Sequence, residues 1–221
     1  MPKVCIDPGH GAADPGTTSG KRLEKDDNLT LALELNRQFA SQGWQTVLTR
    51  GDDSRITLAE RTALANNTKC DLFLSCHRNG FTNATANGVE IWLHSKAPQS
   101  YKDWAADILS RLTTLGFVNR GVKLGHASDS GEYAVNRDTN MPSMLLELGF
   151  ISSEKDNAIF DKSLKEICEA IVRGCSKFLG YDYNDNAAPP QQPPPQQEGK
   201  TYTLNVTKLR EQGFTVIEIT L

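Results

Sequence analysis

Short apolar runs alternate with amphipathic stretches along the first 181 residues. Val4–Ile6 is an apolar run, and apolar positions from Leu29 to Phe39 then recur at helical spacing until Gly43, which predicts a strand followed by a helix. The same order repeats downstream. Further strands are predicted over Thr46–Leu48, Asp71–Cys76, Gly88–Leu93 and Ser143–Leu146, and helices over the stretch after Thr57, over Trp104–Leu115 and from Ser163 to Gly180.

Two helix ends carry recognisable signals. Thr57 and Glu60 stand three residues apart, as in a capping box that opens a helix. Ser163–Glu166 predicts the start of the last helix, which Gly180 should end. Because almost entirely apolar strands alternate with helices, we expect an α/β fold: a mostly parallel, twisted sheet of about six strands with helices on both faces.

Composition changes sharply near the C-terminus. Half of the ten prolines lie between Ala187 and Glu198, which is typical of an extended linker. The remaining residues, 199–221, are fewer than the roughly 40 that a small domain needs to fold alone. We therefore predict a domain over 1–181, a Pro/Gln-rich linker over 182–198, and a segment over 199–221 that begins a truncated second domain or mediates homo-oligomer formation.

Charge and N-terminal sequence exclude several classes of function. Lys and Arg number 24 against 27 Asp and Glu, a formal charge of −3, so no basic excess suggests nucleic acid or an anionic membrane as partner. The N-terminus resembles no secretory signal and no run of 18 apolar residues occurs, so we expect cytoplasmic synthesis without a signal peptide and no membrane insertion. The five cysteines show no CxxC spacing, which predicts reduced thiols.

Polar side chains follow three of the predicted strands. His10 follows the first strand, His77 follows Asp71–Cys76, and Glu147 ends the strand that begins at Ser143. Ligands of open α/β sheets bind beyond the carboxyl ends of the strands, so these groups are expected at one edge. Glu24 lies in the loop that begins at His10 and can reach the same edge.

Two imidazoles and one carboxylate form the three-ligand set of a catalytic zinc site, and a second, unligated carboxylate can accept a proton from water. Ordinary explanations exist for His10, as a hydrogen-bonding loop residue, and for Glu24, as an acidic residue at a helix start. Glu147 is flanked by leucines and would be costly to bury without a role. His94 and His126 are rival ligands, and spacing alone does not separate His94 from His77.

The sequence motifs around these residues resemble those of a known family. The motifs are Ile6-Asp7-Pro8-Gly9-His10-Gly11, Asp14-Pro15-Gly16, Glu24-Lys25-Asp26-Asp27-Asn28-Leu29, Leu48-Thr49-Arg50, Leu58-Ala59-Glu60-Arg61, Leu72-Phe73-Leu74-Ser75-Cys76-His77-Arg78-Asn79 and Met141-Pro142-Ser143-Met144-Leu145-Leu146-Glu147-Leu148-Gly149-Phe150. In this order, over about residues 3 to 180, they resemble the zinc-dependent N-acetylmuramoyl-L-alanine amidases of the amidase type 3 family.

The resemblance implies one zinc ion held by His10, Glu24 and His77, with Glu147 as the catalytic glutamate; His94 and His126 match no ligand. It further implies hydrolysis of the amide between N-acetylmuramic acid and L-alanine in peptidoglycan. Asn79 and Arg137 are expected near the edge, as substrate contacts or as exposed loop residues. Cys76 and Arg78 depart from the residues usual in the family, which bears on groove specificity more than on catalysis.

Two other functions stay open from the sequence. One is a non-catalytic, zinc-containing wall-binding protein, and the other a zinc peptidase acting elsewhere in the stem peptide. The setting expected for the amidase is that of an endolysin or autolysin: release from the cytoplasm onto the wall by a phage or prophage, or during mother-cell lysis. The segment 199–221 would then open a wall-binding or oligomerisation domain.

Overall fold

Within the residues that the structure describes, six strands form one sheet and five helices accompany it. A computed structural model of the chain describes residues 1–81, 85–128 and 131–187, which belong to one compact unit, Met1–Pro190. In chain order the elements are β1 (Lys3–Pro8), β2 (Thr18–Ser19), β3 (Arg22–Leu23), α1 (Glu24–Ser41), β4 (Gln45–Leu48), α2 (Leu58–Asn67), β5 (Leu72–Asn79), β6 (Val89–Leu93), α3 (Gln99–Thr113), β7 (Asn119–Leu124), α4 (Ala134–Arg137), β8 (Ser143–Phe150) and α5 (Glu154–Leu179). The predicted segment 199–221 lies outside the described residues.

The sheet has the order β4-β1-β5-β8-β6-β7, and β2 and β3 form a separate hairpin. Every neighbouring pair in the large sheet is parallel except β6 with β8. The prediction of a mostly parallel six-stranded sheet is therefore confirmed. In the part of the chain that the structure describes, no helix is both long and apolar enough to cross a membrane.

Alternate residues of β1 face opposite sides of the sheet and enter different cores. Val4 and Ile6 pack among side chains of α1, α3 and α5. Cys5 faces the other side and packs with Ala65 of α2 and Val135 of α4. Helices thus cover both faces, as predicted.

The structure confirms two of the predicted helix ends and contradicts a third. Thr57 and Glu60 form the predicted capping box, and Gly180 ends α5 with φ of 74°. The last helix, however, begins at Glu154 and not near Ser163: Ser153 caps it by accepting the N–H of Asp156 at 3.2 Å. Ser163 instead lies at a kink with non-helical angles. Both serines carry the local signal of a helix start, and only the tertiary packing distinguishes them.

The buried carboxylate of Asp7 joins three strands and α2 at the edge where the candidate site lies. Its Oδ1 accepts hydrogen bonds from Thr49 and Arg61, both at 2.6 Å, and its Oδ2 accepts one from Ser75 at 2.7 Å. Asp7 is only 1% exposed and Arg61 4%. Removing one partner of such a buried pair leaves the other charge uncompensated.

We expect Asp7→Ala to lower the free energy of unfolding by about 3–5 kcal/mol, because Arg61 would remain buried without its counterion. Urea denaturation followed by circular dichroism measures the change. The matched control is Asp103→Ala on the exposed surface of α3, which should change stability by no more than about 0.5 kcal/mol. Equal losses in the two variants would contradict the role given to the Asp7–Arg61 pair.

Candidate metal centre

Two buried arginines hold the loop that carries His10. Arg50 donates to the carbonyl oxygens of Pro8 and Gly9, at 3.0 and 2.9 Å. Arg61 donates to those of Pro8 and His10, at 2.6 and 2.8 Å. His10 adopts a positive φ of 62°, which is uncommon for a residue with a side chain and needs such support from its surroundings.

Glu24 is the first residue of α1, and its carboxylate lies between two imidazoles. Its Oε1 is 3.1 Å from Nε2 of His10 and 2.9 Å from Nδ1 of His77. Its Oε2 accepts the backbone N–H of Thr17 at 2.7 Å. Burial by itself raises the pKa of Glu24, but the hydrogen bonds and charges of the two imidazoles outweigh it and hold this pKa well below its usual range. The carboxylate is therefore ionised and available as a ligand.

The second ring nitrogen of His10 is engaged by another carboxylate. Nδ1 lies 2.8 Å from Oδ2 of Asp14, which leaves Nε2 facing Glu24. Burial lowers the pKa of His10, but Glu24 and Asp14 together raise it to about 9. A carboxylate on the outer nitrogen of a ligating histidine orients the ring, as is usual at protein metal sites.

His77 and Glu147 occupy paired positions on the neighbouring strands β5 and β8, and Glu147 also pairs with Glu90 of β6. His77 fits against β1 only because Gly9 has no side chain: a Cβ there would lie 2.2 Å from Cε1 of His77. The strand register thus aligns one imidazole and two carboxylates across the sheet.

Glu147 and Glu90 differ in their hydrogen bonding. Glu90 accepts bonds from Asn79, Trp92 and Arg120. Oε2 of Glu147 is buried and has no hydrogen-bond partner in the described part of the structure. Burial is the main cause that raises the pKa of Glu147, to about 7: the imidazoles oppose the shift, and the carboxylates of Glu24 and Glu90 add to it. A carboxyl group with such a pKa suits proton transfer near neutral pH.

The donor set fits a metal ion. One ligand atom from each of His10, Glu24 and His77 lies within 4.8 Å of the other two, and the ordered carboxylate of Glu24 sits between the rings. Two imidazole nitrogens with one carboxylate oxygen leave a fourth position open, as in catalytic sites. The orphaned oxygen of Glu147 is the buried polar group expected beside such a position.

The two rival histidines lie outside this trio and have other partners. Nδ1 of His94 accepts the backbone N–H of Lys96 at 3.0 Å. Nδ1 of His126 lies 2.7 Å from the Ser128 hydroxyl.

A cleft runs on both sides of the trio. One cavity, of about 640 Å³, extends past His10 and His77 towards the start of α2. The other, of about 740 Å³, contains the same two histidines with Glu24, Tyr133 and Glu147. An extended substrate can therefore cross the metal position with groups on either side.

A model of the N-acetylmuramoyl-L-alanine amidase family matches residues 4–177. The chain belongs to this family. The resemblance inferred from the motifs and the prediction of a peptidoglycan-hydrolysing amidase are thereby confirmed.

Relatives and solved structures agree with the assignment. The uncharacterized protein YqiI of Bacillus subtilis is 35% identical over 179 residues, 79% of this chain and 84% of that protein. The probable cell wall amidase LytH of Staphylococcus aureus is 34% identical over 181 residues, 80% of this chain but only 58% of LytH. An N-acetylmuramoyl-L-alanine amidase from Clostridium difficile 630 superposes with a TM-score of 0.74 at 34% identity, covering 82% of this chain and 98% of that one.

Three other residues of the amidase were discussed in the sequence analysis, and they lie in different environments from one another. Arg78 is buried and bonded to Asp27 and to Asn157, which gives it a structural part beside the cleft. Asn79 borders the cleft, but its amide donates to Glu90 and its carbonyl accepts the N–H of Gly80. Arg137 is exposed, pairs with the neighbouring Asp138, and is not among the described residues that line the two cavities. Substrate contact by Asn79 or Arg137 stays a prediction.

Asp14 and Glu90 are site residues that sequence reasoning did not single out. Asp14 lies only four residues after His10, and a carboxylate so close to a candidate ligand is a signal for an orienting partner. Glu90 stands in a predicted apolar strand, but its place beside Glu147 follows from a strand pairing that no local pattern reveals.

We expect His77→Ala to abolish stoichiometric metal binding by the purified amidase, because two ligands cannot replace three. His94→Ala is the matched control and should keep one metal ion per chain. Elemental analysis after dialysis measures both. Retention of one tightly bound ion by His77→Ala would contradict the assignment.

Metal affinity should also depend on pH. In the metal-free amidase the pKa of His10 is raised to about 9, so below that pH a metal ion must displace a proton from this ring. We therefore expect the affinity for zinc to rise, by up to about tenfold per pH unit, from pH 7 to 9 and then to level off. Competition with a chromophoric chelator measures it, and an affinity independent of pH over this range would contradict the prediction.

Proposed function

We propose that His10, Glu24 and His77 hold one zinc ion and that the site hydrolyses the amide between the lactyl group of N-acetylmuramic acid and L-alanine of the stem peptide. One observation carries the catalytic interpretation: the buried Oε2 of Glu147, which has no hydrogen-bond partner among the described residues, lies in the same cavity as the three-ligand donor set. A purely structural zinc site is usually closed by a fourth protein ligand, which this donor set does not include among the described residues.

Zinc is the metal usually bound by imidazole and carboxylate ligands in three-ligand hydrolytic sites. When bound, it supplies Lewis acidity, which makes water a nucleophile near neutral pH and polarises the scissile carbonyl.

Glu147 supplies the proton transfers. Its carboxylate accepts a proton from the attacking water, and the resulting carboxylic acid donates that proton to the nitrogen of L-alanine as the amide bond breaks. The leaving group is then a neutral amine. The raised pKa of Glu147 supports both steps, because a group that titrates near pH 7 can accept and return a proton at that pH.

The ligands and their partners supply the alignment. Glu24 is fixed by the N–H of Thr17, and His10 by Asp14, so neither ring nor carboxylate needs to reorganise during the reaction. We propose residues 1–181 as the catalytic domain that contains all these groups.

Glu147→Gln should lower the rate of wall hydrolysis by at least about 10³-fold while metal content is unchanged, because the amide has nearly the shape of the carboxylate but cannot accept the proton. Mass spectrometry of fragments released from purified peptidoglycan measures the new amino group on L-alanine.

The matched control is Glu166→Gln on the exposed face of α5, which should retain full activity. Activity of Glu147→Gln near that of the unchanged enzyme would overturn the proposed mechanism. New amino groups at another position of the stem peptide would favour the peptidase alternative, and intact wall after treatment with the metal-loaded enzyme would favour a wall-binding protein.

A further inference from the structure

Tyr133 lies in the cleft on the side of Glu147 and has no part in the metal centre. It precedes α4 and lines the larger cavity together with His77 and Glu147. Its ring packs edge-on against Trp92, with centroids 5.6 Å apart, and against the ring of His126, at 4.2 Å. These two contacts hold the phenol in one position.

The hydroxyl group of Tyr133 has an unused donor. No acceptor for its proton lies among the residues that the structure describes, so this proton is available to a molecule bound in the cavity. Burial raises the pKa of Tyr133 to about 12, and the charge of Glu147 adds to the shift. The phenol therefore stays protonated at neutral pH.

The reaction needs a donor of this kind. When water adds to the scissile amide, negative charge develops on the carbonyl oxygen, and a fixed hydrogen-bond donor stabilises that charge more than it stabilises the uncharged substrate. Asn79 also borders this cavity, and it donates one of the two N–H groups of its side-chain amide to Glu90. Tyr133 is neutral, is held by two rings and lines the same cavity as Glu147.

We propose that the hydroxyl of Tyr133 donates a hydrogen bond to the carbonyl oxygen of the scissile amide and stabilises the charge that develops there. This inference rests on the proposed function, because it takes Glu147 as the group that activates water. Tyr133 is thereby a catalytic residue in addition to Glu147, and its proton is donated as a hydrogen bond without being transferred.

Tyr133→Phe removes only the hydroxyl and keeps the ring between Trp92 and His126. With a soluble N-acetylmuramoyl-peptide as substrate, we expect kcat to fall about 10²-fold with KM changed less than about threefold, because the bond strengthens in the transition state. The control is Tyr101→Phe, a tyrosine whose ring packs against Phe178 away from the cleft and which should leave both constants unchanged.

A binding measurement separates this role from contact with a sugar or with the peptide in the ground state. Calorimetric affinity for the same N-acetylmuramoyl-peptide is compared between the Glu147→Gln variant and the double variant that also carries Tyr133→Phe. The two affinities should be nearly the same, at equal zinc content and melting temperature. A loss expressed in KM and in this affinity, or a kcat of Tyr133→Phe within about threefold of the unchanged enzyme, would overturn the inference.

The two proposals fail in different ways. Full activity of Glu147→Gln would remove the proposed function itself. An inactive Glu147→Gln together with a fully active Tyr133→Phe would remove only the assignment of Tyr133.

Discussion

The buried carboxylate of Asp7 is the interaction on which the rest of the site depends. It lies near the end of β1 and binds side chains from the end of β4, from β5 and from α2, so it fixes those elements against one another. Its counterion Arg61 then reaches the carbonyl oxygens of Pro8 and His10. The charge that holds the sheet edge together is therefore neutralised by the same side chain that sets the conformation of the loop carrying His10, a proposed metal ligand.

Two carboxylates close to one another are driven to opposite states by their surroundings. Glu24 is buried between two imidazoles, which stabilise its charge, whereas loss of solvent around the carboxyl group of Glu147 and the nearby carboxylates of Glu24 and Glu90 destabilise the charge of Glu147. One group is thus an anion suited to bind a cation and the other a base that can gain and lose a proton. This division does not come from residue type, since both are glutamates.

Local sequence patterns predicted those parts of the fold that depend on interactions between residues close together in the chain. The apolar runs at β1, β5 and β8, the capping box at Thr57 and the terminating Gly180 were all located from the sequence. β7 was missed because it is an edge strand of largely exposed residues without an apolar run. The antiparallel place of β6 and the kink at Ser163 depend on packing between distant segments, which periodicity does not encode.

The site residues, too, divide into those that the sequence predicts and those that depend on packing between distant segments. The expectation that His10, His77 and Glu147 meet at one edge used only the rule that parallel strands end on the same side, and the pairing of β5 with β8 places His77 beside Glu147. Glu90 beside Glu147 and the hydroxyl of Tyr133 escaped notice, because the first depends on strand order and the second on a short helix that no pattern indicated.

The three residues proposed to hold the metal, His10, Glu24 and His77, come from a loop, a helix start and a strand that are separated by up to 67 residues of chain. An unfolded chain does not bring them together, so a metal ion held by the proposed ligands would bind the native state in preference to the denatured one. By mass action, free metal at about 100 times its dissociation constant adds about 2.7 kcal/mol to the stability of the native state. The metal supply of the surroundings would then govern how long the enzyme survives proteolysis as well as how fast it acts.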